Sequence, residues 1–223
     1  LKRIKIFGGD HVGLYIKATN SYLLYHSSIP KKKISILEEE LGVPAIPVYL
    51  INTLITSPFI AGNRNGIVLP HLFEDYAREE LVRKLKELDI NIGILEHRYT
   101  SLGNLVLAND KGAIVSPVLP ISSRKIIAET LDIEVVTATI GRFSYVGSLA
   151  VSNNNGVLVA PVLKDDEAKI IEDVLKVSTY TGTINGGVEF ISSGVVANDR
   201  GVVVGTATTG RELMVISQAF GVD

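Results

Sequence analysis

The chain has 223 residues, 46% hydrophobic and 21% charged, with a mean hydropathy of +0.30, which excludes intrinsic disorder and leaves enough length to bury a sizeable core in one or two domains. Lys and Arg number 22 against 24 Asp and Glu, a net charge of −2, not the basic excess of a protein that wraps bare nucleic acid. With no cysteine there is no disulfide framework, no Cys-based zinc site and no thiol nucleophile.

The elements follow one another in a recurring order. Leu1–Gly8 is too short and interrupted for a signal peptide and reads as a strand over Ile4–Phe7. Gly13–Tyr25 reads as two apolar strands around a turn at Asn20, followed by a short helix over Ile34–Leu41 and a strand over Ala45–Ile51. Ser57–Pro70 repeats the hairpin with Asn63 and Gly66 in its turn. The helix after it, Asp75–Leu88, sets Ala77, Leu81, Leu85 and Leu88 on one face, with Glu79–Arg83 and Glu80–Lys84 pairs outside. A strand over Ile90–Glu96 completes the set. Gly103–Val115 is the next hairpin, with a helix from Ser122 or Ser123 that turns Ile126, Ile127 and Leu131 inward, and a strand over Ile133–Ile140. Gly147–Val159 leads to a helix whose first residues, Asp165, Asp166 and Glu167, complement the helix dipole, and then to a strand over Val177–Ile184. Ser193–Val204 is the last hairpin. Thr209-Gly210-Arg211-Glu212 is a capping box opening a helix with Leu213, Ile216 and Phe220 inward.

The turn asparagines fall at 63, 109, 153 and 198 and the glycines at 66, 112, 156 and 201, both at intervals of 46, 44 and 45. Asn20 lies 43 residues before Asn63 in a worn copy that lacks the Gly. Asn-x-x-Gly reads as a hairpin turn, with Asn bonding the backbone two residues on and Gly in the left-handed position. Asp110 and Asp199 interchange with Arg64 and Asn154 inside these turns, which argues for turn chemistry rather than acid–base catalysis. The reading is one domain of five β-β-α-β units, 8–52, 53–97, 98–140, 141–185 and 186–223, the last completed by residues 1–7. Such a chain closes into a five-fold pseudo-symmetric α/β propeller, its N-terminal strand removing the exposed sheet edges at the seam.

Little else suggests chemistry. His11, His26, His71 and His97 have no metal-ligand spacing, and the near-equivalence of His26 and His71 reads as a repeated surface position. There is no GxSxG elbow, phosphate loop or dinucleotide fingerprint. Lys31-Lys32-Lys33 reads as a solvated patch in a loop before a helix, with contact to RNA phosphates as the alternative. The segments entering each first strand carry small, uncharged residues, at Val12-Gly13, Thr56-Ser57-Pro58, Ser101-Leu102-Gly103-Asn104, Tyr145-Val146-Gly147-Ser148 and Phe190-Ile191-Ser192-Ser193. Two readings remain for them: close packing at a crowded pseudo-symmetry axis, or a flat, weakly charged docking face. No run of apolar residues is long enough for a transmembrane helix, so a cytoplasmic protein is expected.

The five degenerate units, with Leu102-Gly103-Asn104 before Asn109-Asp110-Lys111-Gly112, Val146-Gly147-Ser148, Gly62-Asn63-Arg64-x-Gly66 and the closing Thr208-Thr209-Gly210-x-Glu212-Leu213, resemble the archaeal translation initiation factor six family over essentially the whole chain. The resemblance implies a pentein fold, no catalysis and no cofactor. It implies binding to the intersubunit face of the large ribosomal subunit, which blocks the small subunit from joining, and a part in large-subunit maturation. The implied partners are a large-subunit protein of the L-fourteen type and ribosomal RNA near the sarcin–ricin loop, with no membrane, no DNA and a monomer when free. The docking side maps to Gly13, Pro58, Asn63, Asn104 and Phe190, with Arg64, Leu102, Gly103, Val146, Gly147 and Ser148 beside them. Pro58 and Phe190 replace an Arg and a Val expected in eukaryotic relatives. The competing reading is a guanidine-modifying pentein enzyme, which here needs a nucleophile other than Cys; a scaffold without a ribosomal partner is the third.

Overall fold

The computed structural model describes residues 1–49, 53–71 and 75–222. Five three-stranded sheets carry the chain. The first strands are Ile16–Ala18, Ala61–Gly62, Val106–Ala108, Ala150–Ser152 and Val195–Ala197. Each pairs antiparallel with a middle strand: Leu23–His26, Gly66–Pro70, Gly112–Val115, Gly156–Val159 and Val202–Gly205. The third strands run parallel to the middle ones. They are Ala45–Val48, Asn91–Leu95, Glu134–Thr137 and Ser178–Thr181 and, from the start of the chain, Lys2–Ile4. The register of that last pairing, Lys2 on Val203 and Ile4 on Gly205, closes the ring as expected. The N-terminal strand starts two residues earlier than expected, and Ile6 instead opens a tight turn to Gly9.

The third strands are shorter than their apolar runs, because each can be only as long as its four- or five-residue middle strand. The predicted end at Ile51 lies outside the described residues. The middle strands are buried almost throughout and read as continuous apolar runs.

Helices α1 (Lys31–Leu41), α2 (Asp75–Glu87), α3 (Ile121–Leu131), α4 (Asp165–Leu175) and α5 (Gly210–Phe220) link middle to third strands. Each packs on the preceding sheet: α1 on Val202–Gly205, α3 on Gly66–Pro70, α4 on Gly112–Val115 and α5 on Gly156–Val159. Apolar side chains such as Leu37, Leu41, Leu85, Ile127, Ile171, Ile216 and Phe220 fill these seams with no exposure or almost none. α1 is longer than the expected Ile34–Leu41, since Pro30 precedes it and supplies a preset φ. Lys31, Lys32 and Lys33 are therefore its first turn, not a loop. α3 likewise starts at Ile121, directly after Pro120. Leu88 lies beyond the end of α2 and is exposed rather than inward; the place of Ala77 lies outside the described side chains.

The Asn-x-x-Gly turns form hairpins as read, with Asn63, Asn109, Asn153 and Asn198 N–H groups donating to the carbonyls of Gly66, Gly112, Gly156 and Gly201 at 3.0–3.1 Å. In the first unit Thr19 donates to Tyr22 in the same way, so Thr19, not Asn20, is the structural counterpart of the asparagines. The glycines are not there for a left-handed backbone; none of the four has positive φ. A Cβ at Gly66, Gly112, Gly156 or Gly201 would lie 2.1–2.3 Å from the carbonyl oxygen of Thr130, Val174, Ala219 or Glu40 in the helix of the neighbouring unit. Glycine is required because neighbouring units touch there, backbone against backbone.

The asparagines have a second role. Each carboxamide oxygen accepts the N–H groups two and three residues on, which fixes the turn. Each amide then donates to the next unit: Asn63 to Asn109 and Leu131, Asn109 to Asn153 and Leu175, Asn153 to Asn198 and Phe220, and Asn198 to Thr19 and Leu41 carbonyls. One carbonyl is a turn and the other is a helix end, whose last carbonyls lack intrahelical partners. Thr19 is too short to continue the series. Instead the buried Tyr22 hydroxyl donates to the Gly66 carbonyl at 3.0 Å and staples the first unit to the second.

Candidate docking rim and the opposite mouth of the axis

Ahead of each first strand the chain makes one short helical turn: Val12–Leu14, Ser57–Phe59, Leu102–Leu105, Val146–Leu149 and Ile191–Gly194. The five turns pack side by side in a closed ring around one mouth of the axis. Contact is so close that a Cβ on Gly13 would lie 2.0 Å from the Ser192 carbonyl oxygen, on Gly103 2.0 Å from that of Ser57, and on Gly147 2.1 Å from that of Gly103. Axial packing therefore accounts for the small residues in these segments. Gly147→Ala is expected to force the axis apart and lower stability by about 1–3 kcal/mol; urea unfolding checks this, and a loss below about 0.5 kcal/mol would mean that the axis has slack.

Outside this ring, loops leaving the third strands crowd the same rim with aromatic rings. Three of them close tight turns, pairing Ile6 with Gly9, Ile140 with Phe143 and Ile184 with Val188. Phe7 meets Tyr15 edge-on at 5.1 Å, Phe143 stacks on Tyr145 at 5.1 Å, and Tyr145 lies 6.1 Å from Phe190. The Arg98 guanidinium sits 4.8 Å above the Tyr99 ring, which also faces His97. Phe7, Phe143 and Phe190 are about half exposed (45%, 42% and 52%) beside exposed Arg98 and Arg142. Aromatic rings and guanidinium groups of this kind are enriched at interfaces. Sequence reading missed Phe7, Phe143 and Arg98; the spacings Phe143-x-Tyr145 and His97-x-Tyr99 were the available signal.

The structure divides the predicted docking residues. Gly13, Pro58, Leu102, Gly103, Asn104, Val146, Gly147, Ser148 and Phe190 all lie in or next to the helical turns of this rim. Within it Gly13, Leu102, Gly103, Val146, Gly147 and Ser148 are buried, Pro58 and Asn104 half-buried, and Phe190 exposed. The Asn104 side chain makes no hydrogen bond to the described residues. Asn63 and Arg64 belong to a hairpin turn at the far end of the first strand. Asn63 is 2% exposed with its amide fully engaged inside the ring, so only Arg64 presents a surface there.

At that opposite mouth the second turn residues converge. The Asn20 amide donates to Asp110 at 2.6 Å and Asp199 at 2.8 Å, and the Asn154 amide donates to the same two carboxylate oxygens at 2.7 Å each. Backbone N–H groups of Arg64 and Asn154 satisfy the other oxygens. Two carboxylates thus share four amide hydrogens in a plug across the axis, a structural use of Asp110 and Asp199 that agrees with their reading as turn residues. His26 is buried rather than on the surface, its Nδ1 accepting the Ser28 N–H. Among the described residues no group of His, Asp and Glu is placed to hold a metal ion, and no helix is long and apolar enough to cross a membrane.

A pseudo-fivefold ring of βαβ-type units, closed by its own N-terminal strand, defines a pentein. The N-terminal domain of ArgZ, an arginine dihydrolase from cyanobacteria solved as a C264S mutant bound to substrate, shares the fold with a TM-score of 0.52 at 15% identity, over 85% of this chain and 82% of that one. Sequence narrows the class. The chain belongs to the eIF-6 family, whose model matches residues 1–219. Translation initiation factor 6 of Cenarchaeum symbiosum is 42% identical over 96% of both chains, and that of Nitrosopumilus maritimus 42% identical over 98% of this chain and 97% of its own.

Proposed function

We propose that this protein is a translation factor that binds the intersubunit face of the large ribosomal subunit through the rim of helical turns and keeps the small subunit away by bulk, with a part in large-subunit maturation. Membership of the eIF-6 family is the observation that carries this reading. Its partners are an L-fourteen-type ribosomal protein and RNA near the sarcin–ricin loop, and it acts in the cytoplasm as a monomer. The near-neutral charge suits docking chiefly on a basic protein, with exposed Phe7, Phe143 and Phe190 and the Arg98 and Arg142 guanidinium groups as the contact chemistry. Occlusion asks only for a stiff body of the right size, and inter-unit hydrogen bonds all round the ring supply stiffness.

Cosedimentation with purified large subunits tests the proposal, and failure to comigrate removes it. Asn104→Lys places a bulky charge on the rim where the native side chain has no internal partner. It is expected to weaken subunit binding about tenfold or more while leaving the melting temperature within about 1 °C. Unchanged affinity would mean that the other mouth docks. The second reading is a guanidino-group hydrolase, supported by the ArgZ fold likeness; turnover of arginine or agmatine by the purified chain, which has no cysteine, would establish it.

A further inference from the structure

Between the two mouths the first strands line a partly open cavity of about 60 Å³. Val106, Leu107, Val151, Val195 and Val196 give its wall apolar stretches among polar ones, with Ser57 and Ser192 at one end and the Asn–Asp plug at the other. One lining residue breaks the pattern. Lys17 occupies the place that Ala61, Leu107, Val151 and Val196 hold in the other units, each two residues before its hairpin turn. Among the described residues its ammonium has neither a hydrogen-bond acceptor nor a carboxylate within 4.0 Å. Asp110 also lines the cavity but is engaged by Asn20, Asn154 and the Arg64 N–H. Of the elements packed against its strand, Val195–Ala197 and the turn Val12–Leu14 bring no charge, and the hairpin partner Leu23–His26 adds only the titratable Tyr25 and His26 and no carboxylate.

Lys17 is half-buried, and an ammonium beside the axis without a counter-charge is relieved by cavity water, by losing its proton or by taking an anion. Burial pushes Lys17 down to about 8, so at neutral pH the proton stays. We propose that the axial cavity binds a single small inorganic anion, of halide to nitrate size, on the Lys17 ammonium. Space for a few water-sized particles matches one such ion with a companion water.

Bromide is the probe. Melting is followed in rising sodium bromide at constant ionic strength, with gluconate, too large for the cavity, as the balancing ion. The native protein is expected to gain about 3–5 °C at ten times the dissociation constant, and the gain to vanish above about pH 9 as the amine deprotonates. Lys17→Met, an apolar side chain such as its counterparts carry, is expected to fold and to lose the bromide response. Crystals grown in bromide are expected to show an anomalous peak in the cavity beside Nζ, absent in the variant. Equal bromide responses in both proteins, or anomalous peaks confined to the surface, would mean an adventitious ion only and overturn the proposal. So would a cavity holding water alone beside Lys17 in saturating bromide.

Discussion

Asn109→Ala is expected to lower the unfolding free energy by about 3–5 kcal/mol, measured by chemical denaturation. The side chain is 4% exposed and is engaged on every polar atom. Its oxygen accepts the Lys111 and Gly112 N–H groups at 2.9 and 3.1 Å, and its amide donates to the Leu175 and Asn153 carbonyls at 2.9 and 3.2 Å. Truncation strands those groups in a buried seam, where each unsatisfied partner costs about 1–3 kcal/mol, less whatever water recovers. Asn109→Asp separates the two roles. It keeps the acceptor that shapes the turn but aims a carboxylate at two carbonyl oxygens of the next unit. If the aspartate variant is as stable as the native protein, the turn alone matters and the inter-unit bonds contribute little.

Glu212→Gln is expected to cost about 3 kcal/mol at pH 7 and almost nothing at pH 2. Glu212 opens α5 but reaches past its own cap. It accepts Thr209 N–H at 2.7 Å, the Thr183 hydroxyl at 2.8 Å, and Gly186 and Gly187 N–H at 3.0 and 2.9 Å, clipping the helix to the loop that leaves the preceding sheet. Burial alone would raise its pKa; the hydrogen bonds, led by that of Thr209, outweigh burial and hold the carboxyl down to about 2. A folded-state value below the unfolded value near 4.5 gives stability that is complete above the unfolded value and is lost as pH falls toward 2. A depression of this size corresponds to about 3 kcal/mol. Glu167 makes the same clip one unit earlier, to Thr139, Gly141, Arg142 and Lys164, and its pKa is lowered in the same sense. Acid unfolding of the Gln variant parallel to that of the native protein, with a constant gap from pH 7 to pH 2, would show that the clip works by shape and not by charge.

Much of the architecture was legible because it is local and repeated. The Asn-x-x-Gly spacing announces the hairpins, 3.6-residue periodicity announces the helices, and an unpaired strand at Ile4 announces the closure. What escaped was the traffic between units. Asn109 reads correctly as a turn residue, yet half of its side-chain hydrogen bonding goes to Asn153 and Leu175, 44 and 66 residues away. Gly112 reads as a conformational glycine because the helix end that crowds it belongs to another repeat. Glu167 reads as a dipole partner because the loop it holds, Thr139 to Arg142, leaves the preceding sheet some 25 residues upstream. Lys17 passes as the polar residue of an alternating strand, since a strand beside an axis has no solvent side. For the docking rim, the sequence located the helical turns but not the flanking aromatic rings. It also drew in Asn63 and Arg64, because repeat neighbours in the chain stand at opposite ends of a strand.

Closure by Lys2–Ile4 on Val202–Gly205 has a consequence for biosynthesis. The residues that finish the ring are made about 200 residues ahead of the edge they pair with. Until that edge is made, the Asn198 amide cannot reach Thr19 and Leu41. Intermediate lengths of nascent chain are therefore open arcs with one unsatisfied flank, prone to pairing with other chains. Final locking is a single late event set by contacts of the longest sequence separation, so folding is expected to be slow for a molecule of this size, and dismantling to begin at that same joint.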